Sequence, residues 1–125
     1  MKRKYLLYGM FVCLILPGSS CSTEDLAPSL ILPANCTVDS NAIMSYHNDI
    51  QPIVSSACLS CHYAGSGLYD YSRYEVLADR IRSGRLEERL LLPLESPLHM
   101  PQGFNMDSCN LYKLRLWIQQ GFKEN

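Results

Sequence analysis

A chain of 125 residues predicts one domain. Its composition, 47% hydrophobic and 18% charged, excludes a disordered polymer and a membrane-embedded helix bundle. Eleven basic residues against twelve acidic ones give a net charge of −1, without the basic surplus that nucleic-acid binding requires.

The N-terminus has the three parts of a bacterial secretory signal. Lys2-Arg3-Lys4 is positive, Tyr5 to Leu16 is apolar, and Pro17-Gly18-Ser19-Ser20 forms a small-residue exit. The apolar run is too short to span a bilayer comfortably, so residues 1–20 are expected to be removed as a signal peptide. The exit resembles the lipobox of bacterial lipoproteins, with Gly18 where leucine is usual. That resemblance implies a lipidated Cys21, which would otherwise be a stray thiol in an oxidising compartment. Cleavage by ordinary signal peptidase is the alternative, because Gly18 and Ser20 are both small. The expected location is outside the cytoplasm, in the periplasm or on the outer membrane, with acyl chains tethering the protein to a membrane. Loss of Lys2, Arg3 and Lys4 leaves eight basic and twelve acidic residues, a balance of −4. An acidic mature chain argues against nucleic acid or an anionic membrane surface as partner.

Residues 21–43 read as a lipid-anchored tether, with Pro28 and Pro33 and no periodicity; residues 22–35 reach at most ~45 Å when extended. The domain is expected over 44–125. Its first helix should run from Ile50 to Ala57, with Asp49 as N-cap, Pro52 in the first turn and an apolar face of Ile50, Ile53, Val54 and Ala57.

That helix leads into Cys58-Leu59-Ser60-Cys61-His62. The pattern C-x-x-C-H is the attachment site of a c-type haem. Two thiols at this spacing can each add across one vinyl group, and the histidine that follows supplies a nitrogen ligand to the iron. Blander readings require features the chain lacks. A zinc site needs a second ligand pair, and no second C-x-x-C occurs. A thioredoxin-like redox pair needs a βαβ context. A disulfide between Cys58 and Cys61 would close too short a loop to stabilise much.

Beyond the motif, residues 63–71 read as a loop, and Ser72-Arg73-Tyr74-Glu75 fits a capping box. Tyr74, Leu77, Ala78 and Ile81 have helical spacing, and Gly84 is placed to stop that helix. Arg85 to Leu92 predicts a short helix with Leu86, Leu90 and Leu91 inward. Leu94 to Asn105 is irregular. A last helix is expected from the Asp107 cap to Gln120, closed by Gly121, with Leu111, Leu114, Trp117 and Ile118 buried. Nothing alternates as a strand would. The expected class is all-α, three or four short helices with long loops wrapped around one covalent haem, and poorly packed without it.

With Cys13 leaving in the signal, Cys21 taking lipid and Cys58 and Cys61 taking haem, Cys36 and Cys109 are the expected pair in a compartment where thiols oxidise; two separate buried thiols are the alternative. Met100, in Leu98-His99-Met100-Pro101-Gln102-Gly103, is the candidate second iron ligand, and a thioether there raises the reduction potential. A core methionine is the bland alternative. His99 and His47 are the rivals for the ligand position.

Tyr46-His47-Asn48-Asp49-Ile50-Gln51-Pro52-Ile53 before the Cys58–His62 motif resembles the opening of small bacterial class I cytochromes c. Ser83-Gly84, Met100-Pro101 and Trp117-Ile118-Gln119-Gln120-Gly121 continue the likeness over roughly residues 44 to 122. The nearest form is the planctomycete-type cytochrome c domain and related mono-haem lipoproteins. The likeness implies thioether bonds at Cys58 and Cys61, His62 and Met100 as iron ligands, and Trp117 packing near the haem. It implies an electron carrier with no catalytic residue, working between a redox donor and acceptor. Tyr69, Tyr71, Leu77, Ile81, Leu90, Leu91 and Trp117 are the expected pocket walls, with Arg82 and Arg85 as candidates facing a propionate. Two other function classes stay open: a haem enzyme or gas or redox sensor with a free sixth iron position, and a haem-free disulfide oxidoreductase using Cys58 and Cys61.

Overall fold

Four α-helices make up the computed structural model, which describes residues 30–39 and 41–125: α1 (Gln51–Ala57), α2 (Tyr74–Arg82), α3 (Arg85–Leu91) and α4 (Ser108–Gln119). No strand occurs among the described residues, so the class is all-α. The expected signal peptide and Cys21 lie outside the described residues. None of the described helices is long and apolar enough to cross a membrane.

A wide π-helical turn, Tyr46–Ile50, precedes α1. Pro52, in the first turn of α1, has no N–H, and its ring would press on the carbonyl four residues back. The preceding turn opens accordingly, and Ile50 N–H reaches Ser45 O at 3.2 Å. The cap expected at Asp49 falls instead on Ser45. The Ser45 Oγ accepts from Asn48 N–H, and Asp49 reaches back to accept from Ser45 N–H at 2.9 Å. Between them the two side chains satisfy the free N–H groups of Asn48 and Ser45, in the manner of a capping box one turn earlier.

The box expected at Ser72–Glu75 does not form. Asp70 captures both Ser72 N–H and Ser72 Oγ–H, and Arg73 precedes α2 without a side-chain cap. Gly84 turns the chain between α2 and α3 at φ 70°, a left-handed conformation that favours glycine. On α4 the expected cap and stop are present, while half of the expected buried face is not. Asp107 accepts from Cys109 N–H and Asn110 N–H, and Gly121 follows the helix at φ 90°. The buried side of α4 is Tyr112, Leu114, Leu116 and Trp117, with Leu111 and Ile118 only half-buried.

Trp117, 1% exposed, is the centre of the core. Tyr46 stacks on it at 5.6 Å between centroids, while Tyr74 and Phe122 meet it edge-on at 6.5 and 6.2 Å. Two polar ends in this cluster have backbone partners. Trp117 Nε1–H donates to Lys123 O and Tyr74 Oη–H donates to Phe122 O. Leu77, Ile81, Leu86, Leu90 and Leu114 extend the core across α2, α3 and α4. Arg115 on α4 pairs with Glu87 on α3 at 2.8 Å.

Packing reaches back along the segment read as a tether. Leu30, Val38 and Ala42 lie against the core. The Gln120 side chain bridges to this segment, accepting from Met44 N–H and donating to Ala42 O. Cys36 and Cys109 form a disulfide across a sequence separation of 73 residues. Closing a loop of that length stabilises by about 4 kcal/mol in the chain-entropy account. Cys36→Ala/Cys109→Ala is therefore expected to lower the unfolding free energy by a few kcal/mol, read from urea melts, with the helical circular dichroism signature kept.

Candidate functional site

The end of α1 delivers the motif to a cleft. Cys58 is the C-cap residue, its N–H donating to Val54 O at 2.9 Å, and His62 N–H in turn donates to Cys58 O at 2.9 Å. This tight coil places Cys58 and His62 on the same opening.

The cleft has two adjoining lobes of about 220 and 140 Å3, which share Ala57, Cys58, His62, Leu68, Met100 and Pro101. Cys61 lines only the smaller lobe. Tyr69, Tyr71, Leu86, Leu90 and three arginines, Arg80, Arg85 and Arg89, line only the larger one. Leu68, Tyr69 and Phe104 stand half exposed on the rim.

His62 is held in one tautomer. Its Nδ1 lies 3.1 Å from Tyr69 O. A carbonyl can only accept, so Nδ1 carries the proton and Nε2 keeps its lone pair free to bind a metal. The Tyr71 ring stacks on the imidazole at 4.4 Å and 18°, and Tyr71 N–H donates to His62 O. Burial pushes the Tyr71 hydroxyl pKa upward, and the nearby Arg80 guanidinium partly offsets this.

Cys58 and Cys61 are both free thiols. Burial pushes the Cys58 thiol up to about 11. The attacking cysteine of a redox C-x-x-C pair has the opposite property, a depressed pKa. At pH 8 the protein with both thiols free should therefore alkylate at Cys58 about 100-fold more slowly than a thiol at the ordinary value of 9.0, since two pH units separate the two. The rate should climb tenfold per pH unit up to about pH 11; peptide mass mapping after iodoacetamide checks it.

Met100 lines both lobes, and its N–H donates to Arg89 O at 3.0 Å, which pins it to the end of α3. The peptide bond to Pro101 is cis, and Pro101 is buried. Its histidine rivals are placed differently. His99 is 3% exposed, with Nδ1 2.7 Å from Leu92 O and Nε2 3.3 Å from Phe104 O; its ring is enclosed by the loop and does not line the cleft. His47 sits exposed on the π-helical turn beside Tyr46.

Of the expected walls, Tyr69, Tyr71 and Leu90 line the cleft. Leu77, Ile81 and Trp117 belong to the core, where the aromatic stack claims Trp117. Leu91 is 49% exposed, since one residue past Leu90 on a helix is a rotation of about 100°. Arg82 points away, pairing with Asp79 and lying over Phe122, whereas Arg85 does line the larger lobe. Sequence reasoning missed Arg80, Arg89 and the Tyr69 carbonyl. For Arg80 a signal existed: it lies three positions after buried Leu77, at the edge of the apolar face of α2.

Comparisons with protein-family models, with curated proteins and with solved structures gave no match.

Proposed function

We propose that this chain is a mono-haem c-type cytochrome, similar to the small bacterial class I proteins, carrying single electrons between redox partners in the cell envelope. One observation carries the reading. Cys58, Cys61, His62 and Met100 border a single apolar cleft, and the His62 hydrogen bond to Tyr69 O leaves Nε2 as a free donor. A thiol pair, an imidazole nitrogen and a thioether are the donor set such a site uses. Among the described residues no three His, Cys, Asp or Glu side chains gather as a bare-metal site would require.

Cys58 and Cys61 would hold the haem through thioether bonds, His62 and Met100 would bind its iron, and the group would supply a one-electron couple. The chain's own residues set the conditions. Tyr69 O and the Tyr71 ring fix the imidazole's tautomer and rotation. Leu86 and Leu90 keep water from the larger lobe, while the half-exposed Leu68, Tyr69 and Phe104 leave an edge open for electron exchange. A lipid on Cys21 would hold the carrier at a membrane surface, within reach of a redox donor and acceptor.

Carbon monoxide added to the reduced holoprotein separates a carrier from a haem enzyme or gas sensor. A carrier with both axial positions filled binds it slowly and partially at neutral pH. Rapid binding at full occupancy would overturn the carrier assignment.

A further inference from the structure

The two lobes of the cleft differ in charge. Cys61 lines the lobe without arginine, and Arg80, Arg85 and Arg89 line the lobe without Cys61. Arg80 differs from three other arginines of the domain. Arg82, Arg85 and Arg115 each pair with a carboxylate, whereas Arg80 makes no ion pair among the described residues. Its guanidinium lies over the Tyr69 ring at 4.3 Å, and its Nε is buried with no hydrogen-bond partner. An unpartnered buried donor on a guanidinium costs free energy unless an acceptor joins it. Arg89 is also without a carboxylate, reaching only Leu98 O at 3.5 Å. The larger lobe thus joins apolar walls to two guanidiniums, Arg80 beside the Tyr71 hydroxyl and Arg89, that no carboxylate among the described residues pairs.

Resting on the haem reading above, we propose that Arg80, flanked by Arg85 and Arg89, binds the propionate carboxylates, so that the ring lies with its carboxylate edge in the larger lobe and its thioether edge toward Cys61. A carboxylate is the acceptor that matches a guanidinium fork. Tyr69 and Tyr71 from the loop before α2, Arg80 from α2, and Arg85, Glu88 and Arg89 from α3 are the ionisable groups around that end. Glu88 is engaged by Arg85 at 2.9 Å.

The test is the midpoint potential of the holoprotein between about pH 4 and 9, which spans the ordinary carboxylate range and the raised one that burial without a cation gives. In the wild type the guanidinium keeps the propionates ionised, and the potential is flat across neutral pH. Removing the positive charge raises the propionate pKa by about 1–3 pH units. Ionisation beside the iron favours the oxidised form, so the potential of Arg80→Gln should fall as pH rises through a range where the wild type is flat. Arg80→Lys, which keeps the charge, should restore the flat profile, and Arg82→Gln, outside the cleft, should match the wild type throughout. Should Arg80→Gln not accumulate, Arg89→Gln tests the same end of the cleft, with the same direction expected. Arg80→Gln or Arg89→Gln with haem attached and the wild-type pH profile overturns the assignment alone. A wild-type protein that takes up no haem overturns the functional reading, and this assignment with it.

Discussion

Met100→Ala in the haem-loaded protein is expected to lower the reduction potential and open the sixth iron position. A thioether is a soft ligand that favours reduced iron, and its removal leaves water or nothing in its place. The expected fall is on the order of 100 mV, within the ~0.8 V that axial ligands command. The weak far-red band of thioether–iron coordination should vanish, and carbon monoxide should bind readily. The fold should scarcely register the change. Met100 is half-buried, and its backbone bond to Arg89 O survives the substitution. An unchanged far-red band would show that another residue binds the iron.

Trp117→Ala carries the largest expected cost to stability. Its ring is almost completely enclosed, sandwiched among Tyr46, Tyr74 and Phe122. Truncating such a side chain typically costs about 3–5 kcal/mol, from lost burial and the cavity left behind. The Nε1 bond to Lys123 O is lost as well. A domain of this size is stable by only about 4–13 kcal/mol, so the variant should be largely unfolded at temperatures where the wild type is folded. Thermal melts followed by circular dichroism check this. A loss below about 1 kcal/mol, the usual range for surface changes, would mean that the aromatic cluster does not organise the core.

The helices were legible where a local signal had no competitor. Asp107 and Gly121 bracket α4 because no neighbouring side chain contests those positions. Ser72 failed as a cap because Asp70, two residues earlier, takes its hydroxyl first. Asp49 failed because Ser45 and Pro52 together move the start of the helix back by a turn. The Cys36–Cys109 bridge followed from counting thiols in an oxidising compartment, and it is present.

Of the candidate site, the motif and Met100 were legible because their chemistry is written in residue type and spacing. The arginine side was not. A charged residue on a surface helix reads as solvated, and the cleft beside Arg80 exists only once α2 and α3 fold against the segment after Cys58. His99 illustrates the converse. By residue type it rivals Met100 as a ligand, yet its ring is buried inside the loop beside the Leu92 and Phe104 carbonyls. Sequence spacing carried no sign of those carbonyls.

The most direct test of the central claim is to produce the chain in a bacterial periplasm with haem-attachment machinery present and denature it in acid and organic solvent. Haem retained on the polypeptide, with the mass raised by one haem and the retention abolished in Cys58→Ser/Cys61→Ser, is the predicted result. A chain that emerges colourless at its unmodified mass, both thiols still open to alkylation, would contradict it.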